Sequence, residues 1–322
     1  MNILVFGKDG QLGKAFQSVL AAHKLSELHR IHFVGRAQCD LSNADAITNL
    51  LRETKPNLII NAAAYTAVDQ AEQEIDLAYA INANAPAVMA QYAVKEGATL
   101  LHYSTDYVFD GTKATPYLET DARNPLGIYG KSKAAGEEAI ETIFRSQPDP
   151  QAQFAILRTS WVYGDGPNFI RTILRLAKER DAIKVIANQY GVPTSALWLA
   201  SISLAIVLNE NHQLRSFPSG FYHAIPQGET TWYELACFAV QVASDAGADL
   251  KLYPNQITAI PASEYPLPAP RPMNSRLGRP ALDTLMNQIS KGTDVTKWQQ
   301  WQQSWQEQVA DYVQDLVLHK NI

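Results

Sequence analysis

Cysteine is scarce in this chain. Two occur in 322 residues, Cys39 and Cys237, far apart and without partner spacing. They offer neither a disulfide framework nor a cysteine-held metal, and a reduced, cytoplasmic protein is the simplest account. Positive charge is not in excess either: 27 Lys and Arg against 32 Asp and Glu leave a net charge of -5, without the basic footprint that nucleic acid requires. Long hydrophobic runs are missing as well. The longest candidate, residues 196–208, is interrupted by Ser201 and Ser203 and is expected to be a buried helix, not a membrane span. Internal repeats and low-complexity linkers are absent. What remains, 46% hydrophobic and 18% charged, describes a globule able to bury a sizeable core in one large or two intimate domains.

The informative stretch comes first. Asn2 to Phe6 is a short branched apolar run that reads as a buried parallel strand, too short and wrongly flanked for a cleaved leader. It breaks at Gly7. Glycines recur at Gly10 and Gly13, and residues 11–22 place Leu12, Phe16 and Leu20 on one face of a helix. Strand, glycine loop and helix together favour a dinucleotide site over an ordinary turn: Gly7 for the tight turn, Gly10 for close approach to a pyrophosphate, Gly13 for helix packing. Residues 31–34 form a second strand. At its end, where an acidic residue would select NAD, stand Gly35 and Arg36. Arg36 suits a 2'-phosphate and therefore NADPH, or is a solvated loop residue.

A third strand, 58–60, runs into NAAAYTAVD at 61–69, whose small residues permit close backbone approach or simply make an alanine-rich corner. Residues 77–95 predict one long helix. A fourth strand, 99–103, delivers Ser104, Thr105, Asp106 and Tyr107 to the sheet edge where open α/β folds bind ligands, although such residues can also cap a turn. In Pro125 to Lys133 and onward, Glu137 and Glu138 with Ala134, Ala139, Ile140 and Ile143 predict an amphipathic helix. Tyr129 and Lys133 then lie one turn apart on the same face, and Lys131 points elsewhere. A phenol is a sluggish acid-base at neutral pH, and an adjacent ammonium favours its ionised form. Alone, the pair could be a surface helix with a solvated lysine; after this strand order, chance is a poor explanation.

The order glycine loop, NAAA, STDYVFDG, YGKSK resembles that of extended short-chain dehydrogenase/reductases, and its wording is similar to the dTDP-4-dehydrorhamnose reductase family. RTSWVYGDGPNF at 158–169, NQYGVPTS at 188–195, FYHAIPQGETTWYELA at 221–236 and RPMNSRL at 271–277 extend the likeness over almost the whole chain. The resemblance implies a Rossmann-type doubly wound parallel α/β sheet over residues 1–165, completed near 190–215, and a smaller C-terminal α/β substrate-binding domain over 166–322. It implies reduction of a 4-keto sugar nucleotide with NADPH, NADH being possible, by a monomer or homodimer. Tyr129, Lys133 and Thr105 would be catalytic. Gly7, Gly10, Gln11, Leu12, Gly13, Arg36, Asp40, Leu41, Ala62, Ala63, Ala64, Tyr65, Thr66, Tyr103, Tyr129 and Lys133 would meet the cofactor. Thr105, Asp106, Tyr107, Trp161 and Arg271 would meet the substrate, though Arg271 could equally pair with an acidic neighbour. Some members bind magnesium through acidic residues where this chain has Ala15, Tyr190 and Val192, so no metal is expected. The same fold also serves as a non-catalytic regulatory subunit of methionine adenosyltransferase and as related sugar-nucleotide reductases and epimerases. Elsewhere, His223 reads as structural, Thr231 and Glu234 as a helix cap, and Trp298, Trp301 and Trp305 as a packing stripe on a terminal helix.

Overall fold

A computed structural model describes residues 1–146, 151–291 and 299–320. Six strands build the central sheet: β1 (Asn2–Phe6), β2 (Arg30–Val34), β3 (Leu58–Asn61), β4 (Thr99–Thr105), β5 (Gln153–Thr159) and β6 (Gly220–His223). All neighbours pair in parallel, in the order β6-β5-β4-β3-β1-β2. Parallel strands are covered on both faces, which is why β1 is apolar without alternation. Ile3 and Val5 enter one core with α1 (Gln11–Ala22), whereas Leu4 and Phe6 enter another with α2 (Ala44–Thr54) and α3 (Ala85–Glu96). α4 (Ile128–Ser146) contributes Ile140 to that second core.

The expected buried helix is α5 (Ala196–Val207), which packs beside α1 in the first core. Its interrupting serines are satisfied locally, Ser201 and Ser203 donating to the Leu197 and Leu199 carbonyls. No helix among the described residues is long and apolar enough to cross a membrane. A further core gathers Phe169–Glu179, Trp232–Asp245 and Trp305–Leu318 around the parallel pair Ile183–Ile186 and Ile257–Ile260.

Two expectations need correction. Residues 77–95 do not form one α-helix: Ile75–Tyr79 passes into a π turn, Ala80–Asn84, before α3. Pro86 has no N–H to return to the Asn82 carbonyl, so the continuous ladder cannot form there and the turn widens. The tryptophans do not share a stripe. Trp301 lies in a 3-10 turn, Gln299–Gln302, within the first core, and Trp305 opens the last helix within the third; Trp298 lies outside the described residues. Glu137 of α4 faces the protein interior. It is fully buried and meets the buried Arg158 of β5 in a two-pronged contact, Nε to Oε1 at 2.9 Å and Nη2 to Oε2 at 2.8 Å. Removing one partner strands the other charge without water, so Glu137→Leu should lower unfolding free energy in urea by about 3–5 kcal/mol.

Candidate active site

The chain reverses its direction of travel between β1 and β3, and the crevice at such a switch point is where open α/β sheets hold ligands. The loop after β1 is shaped by close contact. Gly7 has φ +85°, and a Cβ there would stand 2.7 Å from the Ala63 nitrogen. A Cβ on Gly13 would stand 2.0 Å from the Gly7 carbonyl oxygen. Gly10 is the N-cap of α1, supplies no capping side chain, and the first turn has no acidic residue. The leading N–H groups, those of Gln11, Leu12 and Gly13 among them, are thus free to meet an anion. Gln11 keeps its buried Oε1 without a hydrogen-bond partner. An anion-accepting helix end beside a glycine crevice fits the pyrophosphate of a dinucleotide.

The loop after β2 brings Gly35 against the Asp9 carboxylate, which a Cβ would approach to 2.1 Å. Arg36 is exposed and its Nε stands 3.5 Å from Asp40. The Asp40 carboxylate also accepts from the N–H and hydroxyl of Ser42, which holds its pKa below the usual range. Leu41 is buried in the core beneath. After β3, the backbone of Ala62 and Ala63 packs against Gly7, Ala64 is exposed, and the next turn is gripped from behind. Asn82, in the π turn, accepts from the Tyr65 N–H at 2.9 Å, donates to the Tyr65 carbonyl at 3.0 Å and donates to Ser132 of α4 at 3.0 Å. Tyr65 donates its hydroxyl to Glu74, and Thr66 is exposed. Sequence reasoning misses Asn82; its signal is a polar residue inside an otherwise small and apolar run.

β4 ends at Thr105, whose hydroxyl donates to Asp106 Oδ1 at 2.9 Å and accepts from the Tyr107 N–H. α4 comes very close to this turn: a Cβ on Gly130 would lie 2.2 Å from the Tyr107 carbonyl oxygen. Tyr129 is thereby set edge-on to the Tyr107 ring at 5.6 Å and shares a hydrogen bond with Thr105. Lys133 is buried on the same helix face, its Nζ donating to the Tyr103 carbonyl at 2.5 Å, while Lys131 is exposed. The Tyr103 side chain, expected beside the cofactor, reaches instead into the first core, where it donates to Ser203, while its carbonyl faces Lys133.

Burial governs the site's proton affinities. It raises the Tyr129 phenol to about 12, the Asp106 charge adding to this and the Thr105 hydrogen bond opposing it. The expected lowering by Lys133 is not among the causes, because the amine is directed at Tyr103 and His102. Lys133 itself is pulled down to about 8 by burial against the opposing charge of Glu137. Asp106 is raised to about 6 by burial, with hydrogen bonds from Ser275 and Thr105 opposing.

Trp161 follows β5 with φ +46°, stacked on Trp232 at 3.6 Å and packed against Gly191, where a Cβ would meet the ring at 2.5 Å. Trp161 and Trp232 line a cavity of about 90 Å³ with Phe169, Ile170 and Pro193. The sequence marks Trp232 only as a helix start; the Thr231 and Glu234 capping box is present, and the ring is a wall of this cavity besides. Arg271 takes the acidic neighbour: Nη2 stands 2.8 Å from Asp69, which also accepts from the Ala269 N–H. Buried His223 bonds the Gly278 carbonyl.

The family described as RmlD substrate binding domain matches residues 1–317. An Escherichia coli dTDP-4-dehydrorhamnose reductase is 43% identical over 284 residues, covering 86% of this chain and 89% of that protein. The chain belongs to the dTDP-4-dehydrorhamnose reductase family. Two solved family structures agree along their length. One from Clostridium acetobutylicum has a TM-score of 0.81 at 32% identity, covering 99% of this chain and 100% of that one. One from Bacillus anthracis, in complex with NADP, has a TM-score of 0.77 at 31% identity, covering 97% and 98%.

In this member of the reductase family, the buried Asp106 carboxylate has a stability consequence. Its folded-state pKa lies above the ordinary 3.8, so the folded protein holds the proton more tightly than the unfolded chain. The resulting penalty is absent below about pH 4 and complete above about pH 6. Asp106→Asn should therefore gain about 2–3 kcal/mol relative to wild type between about pH 4 and pH 7.5, read from paired urea denaturation curves.

Proposed function

We propose that this protein reduces the C4 keto group of dTDP-4-dehydro-6-deoxy-L-mannose to dTDP-L-rhamnose, with NADPH as hydride donor, in the cytoplasm. The observation that carries this is the meeting of Thr105 and Tyr129 at the carboxyl edge of the sheet, one helical turn from Lys133 and across the crevice from the glycine loop. The relatives named above are dTDP-4-dehydrorhamnose reductases, and one holds NADP.

The loop from Gly7 to Gly13 would hold the pyrophosphate on the α1 N-terminus, with Arg36 free to leave Asp40 for a 2'-phosphate. When bound, the nicotinamide supplies hydride to the sugar C4. Negative charge then develops on the carbonyl oxygen, and Tyr129 donates its phenolic proton there while the Thr105 hydroxyl turns from Asp106 to give a second hydrogen bond. Donors aimed at developing charge commonly contribute more to such catalysis than any other single effect. A phenol near 12 stays protonated at neutral pH, the form a proton donor needs. Lys133 would hold the nicotinamide ribose hydroxyls. Trp161 presents a flat face to the substrate, and Asp106, Tyr107 and Arg271 border it. Magnesium has no carboxylate ligand at these three positions, since Ala15 and Val192 are buried and apolar and Tyr190 lies under the Arg276 guanidinium; activity should survive EDTA.

Tyr129→Phe should lower kcat with the keto sugar by about 10²–10⁴-fold while NADPH binding, followed by fluorescence, stays within a few-fold of wild type. Near-normal turnover would end the role of the phenol. Tight NADPH binding without any turnover by the wild type would select the regulatory-subunit reading.

A further inference from the structure

The end of β2 carries no acidic residue of its own, yet a carboxylate stands there. The N–H groups of Gly7 and Lys8 donate to the Val34 carbonyl at 2.9 and 3.2 Å, which fastens the glycine loop across the last residue of β2. Asp9, next in that loop, comes over Gly35: a Cβ on Gly35 would stand 2.1 Å from Asp9 Oδ2 and 3.2 Å from its Cγ. The Asp9 carboxylate thus fills the space from which a side chain at 35 would start. Gly35 is not a glycine for conformational reasons. Its φ lies outside the left-handed region, and its N–H is taken by Gln38 Oε1 at 3.0 Å. What the missing side chain supplies is room for Asp9.

Asp9 is exposed, and no hydrogen bond or ion pair among the described residues engages its carboxylate. In dinucleotide folds an acidic group at the end of the second strand accepts from the ribose 2'-hydroxyl of NADH. A carboxylate has no proton to give, and it repels the 2'-phosphate of NADPH, a monoester with a charge of about -1.5 to -2 at neutral pH. Two cations act the other way. Arg36 is drawn toward Asp40, its Nε at 3.5 Å, and Lys8 lays its Cε 3.1 Å from the position of that same Cβ on Gly35. We propose that Asp9 is a specificity-determining residue for the cofactor: it supplies from the glycine loop the acceptor that β2 does not carry, favours NADH, and restrains the affinity for NADPH that Arg36 and Lys8 confer. The proposal rests on the dinucleotide site alone and is independent of which sugar is reduced.

The test is equilibrium binding of NADH and of NADPH to the full chain without keto sugar, followed by nicotinamide fluorescence. Asp9→Asn keeps the shape of the side chain and removes its charge, so the Kd for NADPH should fall about tenfold while the Kd for NADH moves less than about threefold. Asp9→Ala removes the acceptor as well; it should weaken NADH by about three- to tenfold and still tighten NADPH. A Kd for NADPH that is unchanged or higher in Asp9→Asn overturns the proposal, and so does an NADH affinity untouched in Asp9→Ala. With the keto sugar present, the ratio of kcat/KM for NADPH over NADH should rise about tenfold in Asp9→Asn. Binding is read without substrate, so a wild type inactive on the keto sugar would strike the reductase reading and leave the binding measurement standing.

Discussion

Glu137 and Arg158 meet without solvent between α4 and β5, and the position of every reacting group on that helix follows from their meeting. Neither charge is tolerable there alone, since burying an unpaired ion costs several kcal/mol and only a well-oriented partner offsets it. A two-pronged guanidinium–carboxylate contact also fixes direction, because the planar fork engages both oxygens in one geometry. Tyr129, Lys133 and Glu137 recur at four-residue intervals, so they share one helix face. Anchoring the third member therefore sets the rotation of the other two over the end of β4. The cation faces of Arg158 against the Phe221 and Phe109 rings add to the same anchor.

Rotation alone would leave the helix too far from the sheet edge, and small residues supply the approach. Gly130 lets α4 touch the turn that follows Thr105, and Gly136 lets it touch the Asn82 carbonyl, which a Cβ would approach to 2.1 Å. The π turn that exposes this carbonyl also turns the Asn82 side chain between the Tyr65 backbone and Ser132. One irregular turn thus ties the crevice loop after β3 to the helix that bears Tyr129 and Lys133. A lost helical hydrogen bond at Pro86 is converted into a brace between the cofactor side and the acid–base side of the cleft.

What could be read from sequence follows from the range of the forces involved. β1, the glycine loop and α1 were legible because period, punctuation and helix start are local, and their bounds agree with the observed elements. The Tyr129–Lys133 pair was legible because helical spacing alone puts the two on one face. Glu137 was not, because a glutamate inside an amphipathic pattern looks solvated until its partner on β5 is known. Arg271 and Asp69 are separated by about two hundred residues, and nothing local chooses between a carboxylate and a phosphate as the guanidinium's partner. Tyr103 divides its groups in a way that no local pattern reveals: its carbonyl serves Lys133 and its ring the first core. Trp301 and Trp305 kept helical spacing without a shared helix, since Ser304 caps a new one between them.

The chemistry of the site is governed by dryness more than by pairing. Among its titratable groups, Asp106 and Tyr129 are shifted up and Lys133 and His102 down, each with burial as the largest cause and each in the direction that disfavours charge. A crevice of this kind is poor at stabilising ions at rest, and so a proton held on a phenol is not drawn off by its neighbours. The same apolar surroundings strengthen any hydrogen bond made to a charge once it forms, because there is little water to screen it. The Glu137–Arg158 pair is the buried charge pair of α4, where both carboxylate oxygens are matched. At the reacting end, Asp106 Oδ2 and Ser104 Oγ are left without partners, a cost the packed sheet and helices must offset and one consistent with a surface shaped for a ligand's polar groups rather than for rest.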